Sequence, residues 1–206
     1  MKYTDIAWDF DGTLFDSYPN CVRAFCEMLE SYGHQEDPEE VKQKMIVTVR
    51  YAREFYGQKY GLDPNQMRLR YMECEGFRPD MVKPYPGAAK VLKAIKDSGR
   101  RNFLYTNRGH DALPYLEAYD LMQYFDGYIT GVEMEEYKPD PSGAFLMRNR
   151  YGIEPGKLLM VGDRDVDFLA VKPAGFDGCF FNSNHTEVPD CADFCINELE
   201  DVLAYL

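Results

Sequence analysis

Beyond Pro84 the chain alternates between two periodicities, and this limits the folds open to it more than any other feature. Residues 86–98 place Ala88, Val91, Leu92 and Ile95 at i, i+3, i+4 and i+7, one apolar helix face closed by Gly99. A strand is predicted over 102–106, then a helix over 110–119 that tolerates Pro114 near its start. A short strand follows at 128–130, and a helix at 141–151 stopped by Gly152. The apolar run 158–162 reads as a strand leading into a helix from about Asp165. Residues 179–181 read as another strand and 198–205 as a last helix, while the run 4–9 supplies a strand at the start. Strands separated by helices pair in parallel, because a parallel pair needs a long crossover. The expected core is an α/β, Rossmann-like three-layer parallel sheet with helices on both faces.

Residues 17–84 break this rhythm. Ser17 can cap a helix with Pro19 in its first turn, Val22, Phe25, Leu29 and Tyr32 on one face, and Gly33 as its stop. Asp37-Pro38-Glu39-Glu40 is a second start, with an Asp cap, Pro at the first position and Glu three residues after the cap. Asp63-Pro64-Asn65-Gln66 repeats the arrangement. The segment reads as a small α-helical unit of about three helices inserted after the first strand. The expected organisation is a core of residues 1–16 and 85–206 and an inserted helical cap domain of residues 17–84.

In an open parallel sheet, ligands bind beyond the carboxyl ends of the strands. The first strand leads into "WDFDGTLFDS", where Asp9, Asp11 and Asp16 crowd like charges into eight positions. The second leads into Thr106-Asn107-Arg108, and Lys138-Pro139-Asp140-Pro141 precedes the helix at 141–151. The strand at 158–162 gives Gly162-Asp163-Arg164-Asp165-Val166-Asp167. Acids, a hydroxyl and a lysine are thus expected on one rim, and crowded carboxylates become tolerable where a cation neutralises them.

The order of these pieces resembles the haloacid dehalogenase superfamily, in its branch with a helical cap after the first strand. The pieces are D-x-D-G-T at 9–13, Thr106 ending a strand, Lys138 before a proline, and G-D-x-x-x-D at 162–167. Within that superfamily the overall look is closest to phosphoglycolate phosphatases and their broad-specificity relatives. The resemblance implies a phosphatase acting on a small phosphorylated metabolite. Asp9 would be the nucleophile that forms an aspartyl-phosphate. Asp11 would be the general acid–base, with a pKa raised by its surroundings. Thr106, the backbone N–H of Asn107 and Lys138 would bind the phosphoryl oxygens. The implied cofactor is Mg²⁺, held by Asp9, the backbone carbonyl of Asp11 and Asp163, with Asp167 acting through water or orienting the site. Gly12 would let the chain turn after the nucleophile.

Asp11 argues against a dehalogenase, which lacks a second acid two residues after the nucleophile, and phosphonatases fit poorly. A phosphomutase of the beta-phosphoglucomutase type and a non-catalytic phosphate-binding module remain alternatives. Asp165 reads as a helix cap or surface acid, Asp16 as the start of the linker into the inserted unit, and His110 as an exposed residue at a helix start. Arg164 is assigned no role. Arg50 and Arg53 could read a substrate anion or be solvated surface.

Totals narrow the partners. Net charge is −12, and residues 17–84 account for only −1 of it, so a general nucleic-acid binder is not expected. No apolar run approaches the ~20 residues of a membrane span. The start, Met1-Lys2-Tyr3-Thr4-Asp5, lacks the core of a signal peptide. The six cysteines form no double C-x-x-C pattern; Cys191-x-x-x-Cys195 comes nearest to a metal signature and has no adjacent histidine. A cytoplasmic monomer or homodimer is expected.

Overall fold

The computed structural model describes residues 2–183 and 186–206; Met1 of the N-terminal stretch read above lies outside them. The chain divides into two compact units: residues up to Asp16 together with Pro84–Leu206, and Ser17–Lys83.

The first unit is built on strands β1 (Asp5–Trp8), β4 (Arg101–Tyr105), β5 (Phe125–Ile129), β6 (Leu158–Gly162), β7 (Asp177–Phe181) and β8 (Phe194–Ile196); the two-residue strands β2 (Phe15–Asp16) and β3 (Lys83–Pro84) stand at the two ends of the insertion in the sequence. The six strands form one parallel sheet in the order β5-β4-β1-β6-β7-β8. The chain winds outward from β1 through β4 to β5 on one side, and through β6 to β8 on the other. The reversal lies between β1 and β6, where the carboxyl ends of the strands leave a crevice.

All four residues of β1 are buried, as a central strand covered on both faces requires. On one face Ala7, Phe103, Tyr105, Leu158 and Met160 pack with Ala144 and Met147 of α7 (Ser142–Tyr151) and Ala170 and Val171 of α8 (Asp165–Val171). Helix α5 (Ala88–Asp97) buries Ala88, Val91, Leu92 and Ile95, the stripe read from the sequence. Buried Asn102 accepts a hydrogen bond from Trp8 Nε1 at 3.0 Å and donates to the carbonyls of Leu92 and Tyr124. A polar side chain in the core is tolerated because its partners are supplied.

The second unit has four helices, not three: α1 (Tyr18–Ser31), α2 (Pro38–Val47), α3 (Val49–Tyr60) and α4 (Pro64–Glu75). One extended residue, Thr48, separates α2 from α3, and its hydroxyl accepts from the backbone N–H of Tyr51. Neither glycine nor proline marks that break. Asp37 and Asp63 cap as expected, accepting from Glu39 and Glu40 and from Asn65 respectively. Ser17 precedes α1 in helical backbone and makes no capping hydrogen bond through its side chain. Phe25 is central to this unit's own core, its ring 5.7 Å from Tyr56 and 5.9 Å from Tyr71.

Other boundaries moved. The helix expected over 110–119 is a 3₁₀ turn, His110–Ala112, followed by α6 (Leu113–Ala118), and the final helix is 3₁₀ from Leu199 to Tyr205. No described helix is long and apolar enough to cross a membrane.

Candidate active site

Asp9 follows β1 directly, and its N–H donates to the Val161 carbonyl at 2.9 Å, so the β1/β6 ladder runs up to the residue itself. The chain then folds back tightly: Phe15 N–H bonds the Phe10 carbonyl and Gly12 N–H bonds the Phe15 carbonyl, each at 2.9 Å. Gly12 carries φ 76°, a conformation that disfavours a side chain. Backbone pairing thus fixes Asp9 before any ligand arrives.

Asp9, Asp163 and Asp167 each offer a carboxylate oxygen, and the three oxygens lie within 4.8 Å of one another. Asp9 and Asp167 are buried. Asp167 reaches the cluster from the first turn of α8 by lying across the end of β6. A Cβ on Gly162 would stand 2.4 Å from its Oδ2, so that strand end has room only for glycine. Asp167 Oδ2 also accepts from the Arg164 N–H at 3.2 Å.

Lys138 closes the cluster. Its Nζ donates to Asp9 Oδ1 at 2.9 Å, Asp167 Oδ1 at 2.5 Å and the Tyr105 carbonyl at 3.0 Å. Burial pulls its pKa down, but the Asp167 and Asp9 carboxylates outweigh that and leave it raised, so the ammonium stays charged. Burial pushes the Asp9 carboxyl above its usual range, with Lys138 pulling the other way and Asp167 adding to the rise. Asn107 fixes the lysine's backbone from both sides: its Oδ1 accepts from Lys138 N–H at 2.8 Å and its Nδ2 donates to Lys138 O at 3.2 Å. Buried Thr106 accepts from the Arg108 N–H at 3.1 Å.

Asp9, Asp163, Asp167 and Lys138 are therefore brought together, and Thr106 and Asn107 stand at the end of the adjacent strand. Asp11 differs. Its carboxylate is gripped by Arg108, Nη2 to Oδ1 at 2.8 Å and Nε to Oδ2 at 3.3 Å, while Arg108 stacks over Phe10 and also reaches Asp111 at 3.0 Å. A permanent cation thus faces both of its oxygens.

Arg108 and Arg164 stand among the candidate site residues, and sequence reasoning missed both. Arg164 Nη2 lies 3.5 Å from Asp9 Oδ2, and its Nε 3.7 Å from Asp163 Oδ1. The only available signal was position, Arg108 following Thr106-Asn107 and Arg164 following Asp163. His110 pairs with Glu133 Oε1 at 2.7 Å and is half exposed. Asp165 accepts from the N–H of Val166 in the first turn of α8. In the helical unit, Arg50 pairs with Glu54 at 2.8 Å on the surface and Arg53 contacts the Pro64 carbonyl at 3.4 Å. All six cysteines are unlinked.

The donor set suits a hard divalent cation, since all three donors are carboxylates. Asp9 Oδ2 is buried and accepts no hydrogen bond, with the Arg164 guanidinium 3.5 Å away.

The family model for haloacid dehalogenase-like hydrolases matches residues 6–180, the stretch that carries every residue of this cluster. The chain belongs to that family. As a haloacid dehalogenase-like hydrolase it is an enzyme. It is 32% identical to phosphoglycolate phosphatase 1 of Pseudomonas aeruginosa in an alignment 179 positions long that covers 82% of this chain and 66% of that protein, just under two thirds of its length. It is 31% identical to a phosphoglycolate phosphatase of Nitrosospira multiformis in an alignment 176 positions long that covers 81% of this chain and 78% of the relative. The fold matches a crystal structure of a predicted phosphoglycolate phosphatase from Haemophilus somnus with a TM-score of 0.87, at 20% identity, over 100% of this chain and 98% of that one.

Proposed function

We propose that this hydrolase is a Mg²⁺-dependent phosphatase that cleaves a small phosphomonoester through an aspartyl-phosphate on Asp9. The observation that carries the reading is the cluster at the β1/β6 crevice: a buried Asp9 with one oxygen that accepts no hydrogen bond, two further carboxylates and a buried lysine. Asp9, Asp163 and the backbone carbonyl of Asp11 would hold the cation, with Asp167 beside them. When bound, Mg²⁺ would offset the repulsion between an anionic nucleophile and an anionic phosphoryl group.

A carboxylate oxygen of Asp9 forms a bond to phosphorus as the bond to the leaving alkoxide breaks. Asp11 gives that alkoxide its proton, which requires Arg108 to loosen its hold. Water then attacks phosphorus, Asp11 takes its proton, and Asp9 is released with inorganic phosphate. Thr106, the Asn107 N–H and Lys138 Nζ orient the phosphoryl oxygens. Asp167 would keep Lys138 aimed at Asp9, the orienting one of the two roles read for it from the sequence. The resemblance to phosphoglycolate phosphatases supports a small acidic phosphomonoester as the substrate of this hydrolase, and the cytoplasm is its proposed location. Residues 17–84 would form a cap that excludes water and sets specificity.

The test is a panel of phosphomonoesters ranked by kcat/KM with Mg²⁺ and again with EDTA. The expected result is hydrolysis of small phosphomonoesters that EDTA abolishes, and a blunted ranking when residues 17–83 are replaced by a short linker. Full turnover in EDTA contradicts the metal assignment, and an unchanged ranking without the helical unit contradicts its role in specificity.

A further inference from the structure

Three carboxylates meet at the β1/β6 crevice, and two cations face them. Lys138 is bonded to Asp9 Oδ1 and Asp167 Oδ1, with its side chain fully buried. Arg164 stands elsewhere: its guanidinium lies beside Asp9 Oδ2 at 3.5 Å and Asp163 Oδ1 at 3.7 Å, and its side chain is 13% exposed. These two acids are the side chains assigned above to the divalent cation, and Oδ2 is the Asp9 oxygen that accepts no hydrogen bond. The guanidinium thus sets a positive charge beside a carboxylate oxygen of each acid. Its backbone is tied separately, by the N–H bond to Asp167 Oδ2.

We propose that Arg164 is an internal counter-ion that competes with the divalent cation for Asp9 and Asp163, holding the metal-free pocket together and weakening metal affinity. The inference rests on the metal site proposed above. Without Arg164, three acids would face Lys138 alone, which leaves more negative charge to draw in a divalent cation. With it, an incoming cation meets a like charge within a few ångströms of its ligands, a repulsion large enough at protein-interior dielectric to change affinity by on the order of tenfold. Arg164 acts through Asp9 and Asp163, so it is a positioning residue.

The sign of the effect separates this from a merely structural role, because damage to the pocket loosens metal binding whereas loss of a competing cation tightens it. Mg²⁺ is titrated calorimetrically into metal-stripped full-length protein, as the native chain and as Arg164→Gln, Arg164→Ala and Arg164→Lys. Both neutral variants are expected to bind Mg²⁺ about tenfold more tightly and the lysine variant to stay near the native value. Without metal, the neutral variants should melt lower than the native protein, and saturating Mg²⁺ should close the gap. If one neutral variant does not fold without metal, the other carries the comparison. Equal or weaker Mg²⁺ binding in a folded neutral variant overturns the proposal. Asp163→Asn is titrated alongside: undiminished Mg²⁺ binding there overturns the metal-site reading and this proposal with it. Loss of binding there, with no tightening in the neutral Arg164 variants, overturns the Arg164 role alone.

Discussion

Replacing Asp9 by Asn is expected to lower kcat on a phosphomonoester by at least ~10³-fold while the protein stays folded. The amide keeps the shape of the carboxylate, so the bond from Lys138 Nζ to the Oδ1 position can persist. What goes is the charge, and with it both the nucleophile and one oxygen donor for the cation. The loss should fall on kcat, because Thr106, Asn107 and Lys138, the groups proposed to orient the phosphoryl oxygens, are untouched. Mg²⁺ binding to the variant should weaken in parallel. A folded Asp9→Asn enzyme within tenfold of the native kcat would remove Asp9 from the chemistry.

Lys138→Met is expected to cost stability as well as activity. The native ammonium is fully buried and satisfies two acids and a backbone carbonyl at once. Removing one partner of a buried ion pair leaves uncompensated charge and costs about 3–5 kcal/mol. Here Asp9 and Asp167 are left facing each other. Urea unfolding in EDTA should show the midpoint falling, and Mg²⁺ should restore part of it by supplying the missing positive charge. A midpoint unchanged in EDTA would mean that the three acids do not depend on Lys138, and the electrostatic account of the crevice would fall with it.

The alternation of helix and strand periods was enough to read the parallel core, because each element is long and carries its own stripe. Strand β8 (Phe194–Ile196) was missed, since three residues among acids and turns hold no period. The α2–α3 break was missed for a related reason: Thr48 ends one helix and starts the next through its extended backbone and its hydroxyl, and no glycine or proline advertises it. The acids of the site were legible because each follows a strand end. Their partners were not. That Lys138 spans Asp9 and Asp167 depends on chain segments distant in sequence arriving at one point. The grip of Arg108 on Asp11 and the approach of Arg164 to Asp9 are likewise products of packing, which spacing alone does not encode.

The central claim is that a phosphoryl group passes through Asp9. Asp11→Asn should slow release of that intermediate, because water activation needs the Asp11 carboxylate, while an aryl phosphate with a good leaving group can still load Asp9. Folded Asp11→Asn protein is mixed with an aryl phosphate and Mg²⁺, quenched in acid and digested, and the peptide carrying Asp9 is weighed. The account predicts one added phosphoryl group on Asp9, removable by hydroxylamine as an acyl phosphate should be, and absent from protein mixed in EDTA. Phosphoryl label on any other side chain, or turnover of the aryl phosphate with no label on Asp9 at any quench time, would contradict it.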